Sequence, residues 1–346
     1  MRVAMYYHNH DVRVEEMPKP AIGPGEMLVK VASCGICGSD VMEWYRRKKA
    51  PLVLGHEMCG EIAELGERAA ARYRIGQRVF VSHHVPCNTC RYCLMGHHTA
   101  CATLQSTNFD PGGFSEYVRV PELQVDRGVY VLPDGVSCEE GTLIEPLACV
   151  LRGQRLTGIN AGDTVLVIGA GISGLLHIQL ARALGAGRII ASDIHESRLE
   201  AARRFGADAA ISGGGDVVGR LLEINDHRLA DLVIICAGTD AVVPSALQTV
   251  DNGGSVLFFA VPPAGVQVPI PITDLWRREI TLQTSYGASP QDLMTALDLI
   301  RLKKLPLLSR MITHRLSLDE AGLGFRMVAE ARESIKVLIE PWRQAR

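Results

Sequence analysis

The chain has 346 residues, 47% apolar and 21% charged, with a formal net charge of −2. That length exceeds what one compact core usually holds, so two domains of roughly 100–200 residues are expected. The near-neutral charge excludes an overall basic field for nucleic acid, and no apolar run is long enough to span a bilayer; with His8, His10, Asp11 and Arg13 interrupting any leader-like stretch, a cytoplasmic protein with no nucleic-acid or membrane partner is expected.

The first third carries short β-type runs: MLVKVAS at 27–33, EIAEL at 61–65, RVFVS at 78–82 and EYVRV at 116–120. Gly and Pro punctuate them, which predicts a mostly-β domain with irregular loops. Near residue 152 the texture changes. TVLVI at 164–168 is a continuous apolar run, as in a strand buried on both faces of a parallel sheet. GAGISG and a helical stretch follow, then RIIASD at 188–193, a helix expected to be capped by Ser197 with Glu200, and the strand-like runs DLVIICAG at 231–238 and GSVLFFAV at 254–261. Strands alternating with helices predict a doubly wound parallel sheet. Beyond residue 287, Ser289-Pro290 opens a helix, Ser317 with Glu320 caps another, and SIKVLIEP at 334–341 is a closing strand. The tail is expected to return to the first domain, giving domains 1–151 with 288–346, and 152–287.

Gly169-Ala170-Gly171-Ile172-Ser173-Gly174 fits G-x-G-x-x-G, and it stands between a strand and a helix, the context that gives this motif meaning. Gly169 serves the tight turn, Gly171 the approach of a pyrophosphate and Gly174 the close helix–strand packing, with the phosphates at the positive helix terminus. Asp193 ends the second strand, where a carboxylate hydrogen-bonds ribose hydroxyls and repels the extra phosphate of NADP. NAD is therefore the expected cofactor.

Cys87, Cys90, Cys93 and Cys101 lie within fifteen residues. Their spacing suits a closed tetrahedral Zn²⁺ site with a structural role. Few cations flank them, which argues against a nucleic-acid-reading zinc module. Cys37 in GICGSD, His56 and Glu57 in GHE, and Glu145 in EPL are unremarkable singly. Together they supply thiolate, imidazole and carboxylate, the donor mix of a catalytic zinc with one open position.

GICGSD, GHE, the four cysteines, EPL and GAGISG occur in an order that resembles the zinc-containing medium-chain dehydrogenases, most closely the sorbitol (polyol) and threonine dehydrogenase branch. The resemblance spans essentially the whole chain. It implies a GroES-like mostly-β catalytic domain with an inserted Rossmann domain, one catalytic and one structural zinc, and a homodimer or homotetramer with a candidate interface near GSVLFFAV and ITLQTS. Cys37 and His56 are the implied catalytic ligands, with either Glu57 or Glu145 as a third; the sequence does not choose between them. Ser39 is the implied proton relay, and Asp40 orients His56. Arg198, Ala237 and Val261 join Ile172, Ser173 and the motif glycines as the expected cofactor contacts. The implied reaction is hydride transfer from a secondary alcohol or polyol, phosphorylated polyols included, to NAD⁺; the alternatives are a threonine-type amino-alcohol dehydrogenase and a catalytically inactive dinucleotide-binding protein.

One position departs from the pattern. Met42 stands where many relatives carry the relay's last histidine, leaving water with the cofactor ribose, Glu43 or His84 to finish the route. Arg46-Arg47-Lys48-Lys49 reads as a solvated loop, with attraction of an anionic substrate as the sharper alternative. Trp44 and Tyr45 are candidates for a pocket lining or for the core, and Ser285 and Tyr286 for a cofactor or dimer contact.

Overall fold

In the computed structural model, which describes residues 1–331 and 333–344, the chain separates into two units. Among the described residues the strands form three sheets. The first unit comprises Met1–Ala148, Ala288–Lys303 and the chain from Leu308 on; the second comprises Cys149–Gly287 with Lys304–Leu307.

The first unit is organised on the strand Met27–Gly35, whose residues are buried except Lys30 and Ala32. Glu57–Leu65 pairs antiparallel along its length, followed outward by Arg78–Val81 and Val129–Val131. On its other side, Tyr117–Val120 pairs with its first half and Lys336–Ile339 with its end, through Leu338 opposite Gly35. Ile312–Leu316 completes this seven-stranded sheet, and a three-stranded sheet orders Asp11–Glu16, Arg2–His8 and Leu52–Val53. The core between them includes Val29, Val31, Met58, Phe114, Phe325 and Val337, all fully buried. Phe325 anchors it, with the rings of Tyr6 and Phe114 at 5.5 and 5.6 Å. Truncating such a ring costs about 3–5 kcal/mol.

The four-cysteine lobe is built differently. It has only short helical turns, Arg91–Leu94, His98–Ala100 and Ala102–Ser106. Its apolar cluster is Leu104 with the cysteines themselves, while Tyr92, Leu94 and Met95 are exposed. So small a core does not offset the entropy of ordering such a loop.

The second unit is a six-stranded sheet in the order Ala209–Ser212, Arg188–Asp193, Thr164–Ile168, Ala230–Ile235, Val250–Phe258, Thr281–Thr284, with every neighbouring pair parallel. Val165, Leu166 and Val167 are wholly buried at its centre, which is why TVLVI has no polar alternation. Strand order reverses direction between Thr164–Ile168 and Ala230–Ile235, creating a crevice outside their carboxyl ends.

Two expected caps differ. The helix Glu196–Arg204 has His195 as N-cap, because the Asp193 carboxylate accepts the His195 N–H at 3.0 Å and starts the helix before Ser197. Ser317 and Glu320 do bond to each other, at 2.8 and 2.9 Å, but as a turn ahead of the helix Ala321–Glu330. Ser289 caps Pro290–Arg301 in a capping box with Asp292. No helix among the described residues is long and apolar enough to cross a membrane.

Candidate active site

Antiparallel pairing sets Gly35 opposite Glu57, so the residues just beyond one strand's end meet those at the start of the other. Donor atoms of Cys37, His56 and Glu57 consequently lie within 4.8 Å of one another. Glu145, near the start of the helix Ile144–Thr157, is outside that set, although its charge acts on the same ammonium group that Glu57 meets.

That ammonium is Lys336. It and Glu57 form an ion pair with both side chains 1% exposed. Lys336 Nζ also donates to the Ile36 carbonyl at 3.1 Å. Burial pulls the lysine's pKa down, but Glu57, Cys37 and Glu145 outweigh it and hold the value above 10.5. Gly35 makes the pair possible: a Cβ there would lie 2.1 Å from Glu57 Oε2 and 2.6 Å from Lys336 Cε.

Asp40, fully buried, ties the loop together. Its Oδ2 accepts the Cys37 N–H at 3.0 Å, and its Oδ1 lies 3.4 Å from His56 Nδ1. Burial raises the Asp40 pKa, yet His56 and Arg46 more than reverse this and hold it below its ordinary value. Burial likewise lowers His56, while Asp40 and Cys37 lift it well above the usual imidazole value. The Asp40 contact at Nδ1 leaves Nε2 as the donor for a metal. A thiol, an imidazole and a carboxylate converging at this spacing fit a zinc site.

The four cysteines fit a second one. Cys90–Cys93, Cys87–Cys101 and Cys87–Cys93 sulfurs are 3.5, 3.6 and 4.0 Å apart. Four sulfurs about 2.3 Å from one zinc would be about 3.8 Å apart. Backbone N–H groups of Cys90 and Thr89 point at Cys87 Sγ from 3.2 and 3.5 Å, and these bonds, Thr89 first, lower its pKa to about 5. Burial, then Cys90, pushes Cys93 up to about 12. A divalent cation lets all four ionise together.

In the second unit, Gly169 has φ +97° and follows the central strand. A Cβ on Gly174 would lie 2.0 Å from the Gly169 carbonyl oxygen, so helix Ile172–Ala183 can start this close only with glycine there. Gly171 is that helix's N-cap, with Ile172 and Ser173 in its first turn; the Arg198 guanidinium stands 2.9 Å from where a Gly171 Cβ would be. Asp193 Oδ2 accepts the Ala170 N–H at 2.8 Å. Ala237 and Val261 follow the carboxyl ends of the next two strands, and Ala237 N is 3.0 Å from a Gly169 Cβ position.

Family models match both parts of the chain: "Alcohol dehydrogenase GroES-like domain" over residues 23–133 and "Zinc-binding dehydrogenase" over 173–301. Sorbitol dehydrogenase of Bacillus subtilis is 31% identical over 291 residues, 82% of this chain and 81% of that protein. The chain belongs to the zinc-containing medium-chain dehydrogenase/reductase superfamily. Its polyol and threonine branch is shown by that relative together with L-threonine 3-dehydrogenase of Chelativorans sp., 30% identical over 340 residues, 94% of each protein. Among solved structures, a zinc-binding dehydrogenase from Sinorhizobium meliloti 1021 bound to NADP superposes with a TM-score of 0.87 at 32% identity, covering 98% of this chain and 99% of that one. This dehydrogenase therefore has the GroES-like and Rossmann architecture of an alcohol dehydrogenase-type oxidoreductase.

Several residues acquire clearer places in the dehydrogenase. Arg46 is not part of a solvated loop: it donates to the Ser39 carbonyl (2.9 Å) and hydroxyl (3.2 Å), and Nη2 lies 3.5 Å from Asp40 Oδ1. Glu43 is turned away, accepting the Asn9 N–H at 2.9 Å. His83 stacks near His56, with ring centroids 4.8 Å apart, and His84 lies 3.8 Å from His83. Burial, then His56 and Arg46, draws His84 down to about 4, so it is uncharged and a weak base near neutrality. Trp44, Tyr45 and Tyr286 are exposed, whereas the Ser285 hydroxyl is buried. No motif includes Lys336; its one signal in the sequence is a lysine inside the apolar run IKVLI, at a strand position buried like its neighbours.

Proposed function

We propose that this dehydrogenase oxidises a secondary alcohol or polyol with NAD⁺, using a catalytic domain of 1–151 with 288–346 and a dinucleotide domain of 152–287. The convergence of Cys37, His56 and Glu57 beside Ser39 carries the reading. Bound by Cys37, His56 and one of Glu57 or Glu145, zinc supplies the Lewis acidity that brings an alcohol hydroxyl from a pKa of about 16 toward about 7, with the nicotinamide as hydride acceptor. The four-cysteine lobe holds a second, structural zinc.

Ser39 handles the proton. Its oxygen accepts from Arg46, so its own O–H points elsewhere and is free to exchange with a substrate hydroxyl. Arg46 is permanently protonated and cannot take that proton onward; Met42 has no group to do so, and Glu43 is bound to Asn9. With His84 a weak base, none of these neighbouring side chains carries the proton beyond Ser39.

Asp193 supports NAD over NADP: both oxygens are held by backbone N–H groups, of Ala170 and His195, which fixes a negative charge at the ribose position. Thr281–Thr284, the sheet's last strand, is largely exposed and supports a homodimer or homotetramer through this edge. Four cysteine thiols clustered for a metal suit a reducing compartment such as the cytoplasm.

The threonine-type reading shares every zinc motif, and a substrate panel separates the two. NAD⁺ and NADP⁺ reduction is screened over polyols, polyol phosphates, diols, hydroxy acids and threonine, alongside metal analysis. The expected result is two zinc per chain and faster reduction of NAD⁺ with a polyol or secondary alcohol. Turnover of threonine alone would transfer the assignment to the amino-alcohol class. Absence of turnover with any alcohol in zinc-loaded protein would leave only dinucleotide binding.

A further inference from the structure

Arg46 is an unusual neighbour for a proton-handling serine. Its side chain is only 15% exposed, and it is held from three directions: by the Ser39 carbonyl at Nε, by the Ser39 hydroxyl and Asp40 at Nη2, and by the Tyr45 ring 4.7 Å beneath Cζ. The remaining nitrogen, Nη1, makes no hydrogen bond among the described residues. Among the described residues the carboxylate in ion-pair range of this guanidinium is Asp40, which is also engaged by the Cys37 N–H and by His56. The charge of Arg46 is therefore fixed in place and incompletely compensated.

The adjoining residues add to it. Arg47, Lys48 and Lys49 are exposed and form no ion pair among the described residues; Lys49 lies over the Tyr45 ring, 5.1 Å from its centroid. In a chain of net charge −2, four successive cations beside a reacting centre form a local positive field. A guanidinium with one nitrogen unengaged can donate charge-assisted N–H···O bonds to a carboxylate or phosphate from that nitrogen.

We propose that Arg46 is a specificity-determining residue that binds an oxyanion carried by the substrate, so that the preferred substrates are alcohols bearing a carboxylate or phosphate a few bonds from the carbinol carbon. This rests on the alcohol-dehydrogenase reading above. The reach is set by the guanidinium. Nη2 is bonded to Ser39 Oγ, and Nη1 lies about 2.3 Å from Nη2, so with a hydrogen bond of about 2.9 Å an anion at Nη1 can belong to the molecule whose hydroxyl meets Ser39. Arg47, Lys48 and Lys49 raise the local concentration of such anions without fixing their orientation.

The test uses zinc-loaded enzyme with a matched series, ribitol, ribonate and ribitol 5-phosphate, measuring kcat/KM for each in wild type, Arg46→Gln and Arg46→Lys. Calorimetric binding of ribonate and ribitol 5-phosphate is measured on the same samples with NADH present. The expected result is at least about tenfold preference for one of the anions over ribitol, lost in Arg46→Gln and partly kept in Arg46→Lys, as the loss of a charged hydrogen bond implies. Whether ribonate or ribitol 5-phosphate gains more identifies carboxylate or phosphate as the recognised group. Ribitol oxidised as well as both anions would overturn the anion site and leave the alcohol-dehydrogenase reading standing. Equal losses in Arg46→Gln for neutral and anionic alcohols would also overturn it, reducing Arg46 to a prop for Ser39. If none of the three is oxidised, the wider alcohol screen decides the alcohol-dehydrogenase reading, and calorimetry decides the site: anion binding abolished by Arg46→Gln supports it, and binding unaffected by that change refutes it.

Discussion

Replacing Lys336 with Met removes the countercharge of a carboxylate that is 1% exposed and has no water to turn to. Breaking a buried pair in this way costs about 3–5 kcal/mol, most of it the penalty of the charge left behind. Glu57→Gln, which strands the ammonium against the Ile36 carbonyl alone, should cost a comparable amount. The double variant removes both charges, so its loss should fall short of the sum of the singles by about 2 kcal/mol or more. Urea unfolding in a Trp276→Phe background reads this cleanly, since Trp44 and Trp342 then report only on the first unit. The pair also predicts a pH signature. The folded-state pKa of Lys336 is raised above 10.5, so its contribution is complete below that value and fades as pH climbs through the higher one. The deficit of Lys336→Met should thus be flat through neutral pH and shrink in strong alkali. Single losses below about 1 kcal/mol, or strict additivity in the double variant, would refute the assignment of a coupled buried pair.

Two further outcomes follow from the packing. Gly174→Ala places a methyl against the Gly169 carbonyl, which must move; about 1–3 kcal/mol of stability and at least about tenfold of NADH affinity should be lost, measured by thermal unfolding and by fluorescence titration. Arg315 makes paired 2.7 Å bonds to Glu139, and these hold that carboxyl below its ordinary value of 4.5. A depressed pKa stabilises the fold above the unfolded value and is lost as pH falls. Glu139→Gln should therefore cost at most about 1 kcal/mol near neutrality, because both side chains are 35% exposed, and nothing in strong acid; an equal deficit at both pH values would refute the linkage.

What can be read from the residues alone follows physical lines. TVLVI announces a strand buried on both faces because no polar residue interrupts it, and the glycine motif is legible because each glycine answers a steric demand that any side chain would violate. The metal donors are visible because soft ligands at short spacings have few other uses. Lys336 is not, since a lysine in a strand ordinarily faces water; only the pairing of Leu338 with Gly35 brings it to Glu57 from the far end of the chain. Arg46 is hidden within a run of four cations, and nothing local says that one of them turns inward while three stay exposed. Ser197 looks like a cap because nothing local shows that the Asp193 carboxylate accepts the His195 N–H and starts the helix earlier. Sequence spacing alone does not bring Glu57 to Cys37 and His56; the strand pairing does, within 4.8 Å.

The Glu57–Lys336 pair has a consequence for how the molecule is made. Synthesis runs from the amino end, and the whole segment Cys149–Gly287 is translated after the glutamate but before its lysine. Until then Glu57, at the start of its strand, has no lysine to accompany it inside the sheet. The strands of the second unit can therefore leave the ribosome while the first sheet still waits for the strand Lys336–Ile339. A chaperone or a protease meeting the growing chain would find that sheet its more vulnerable part.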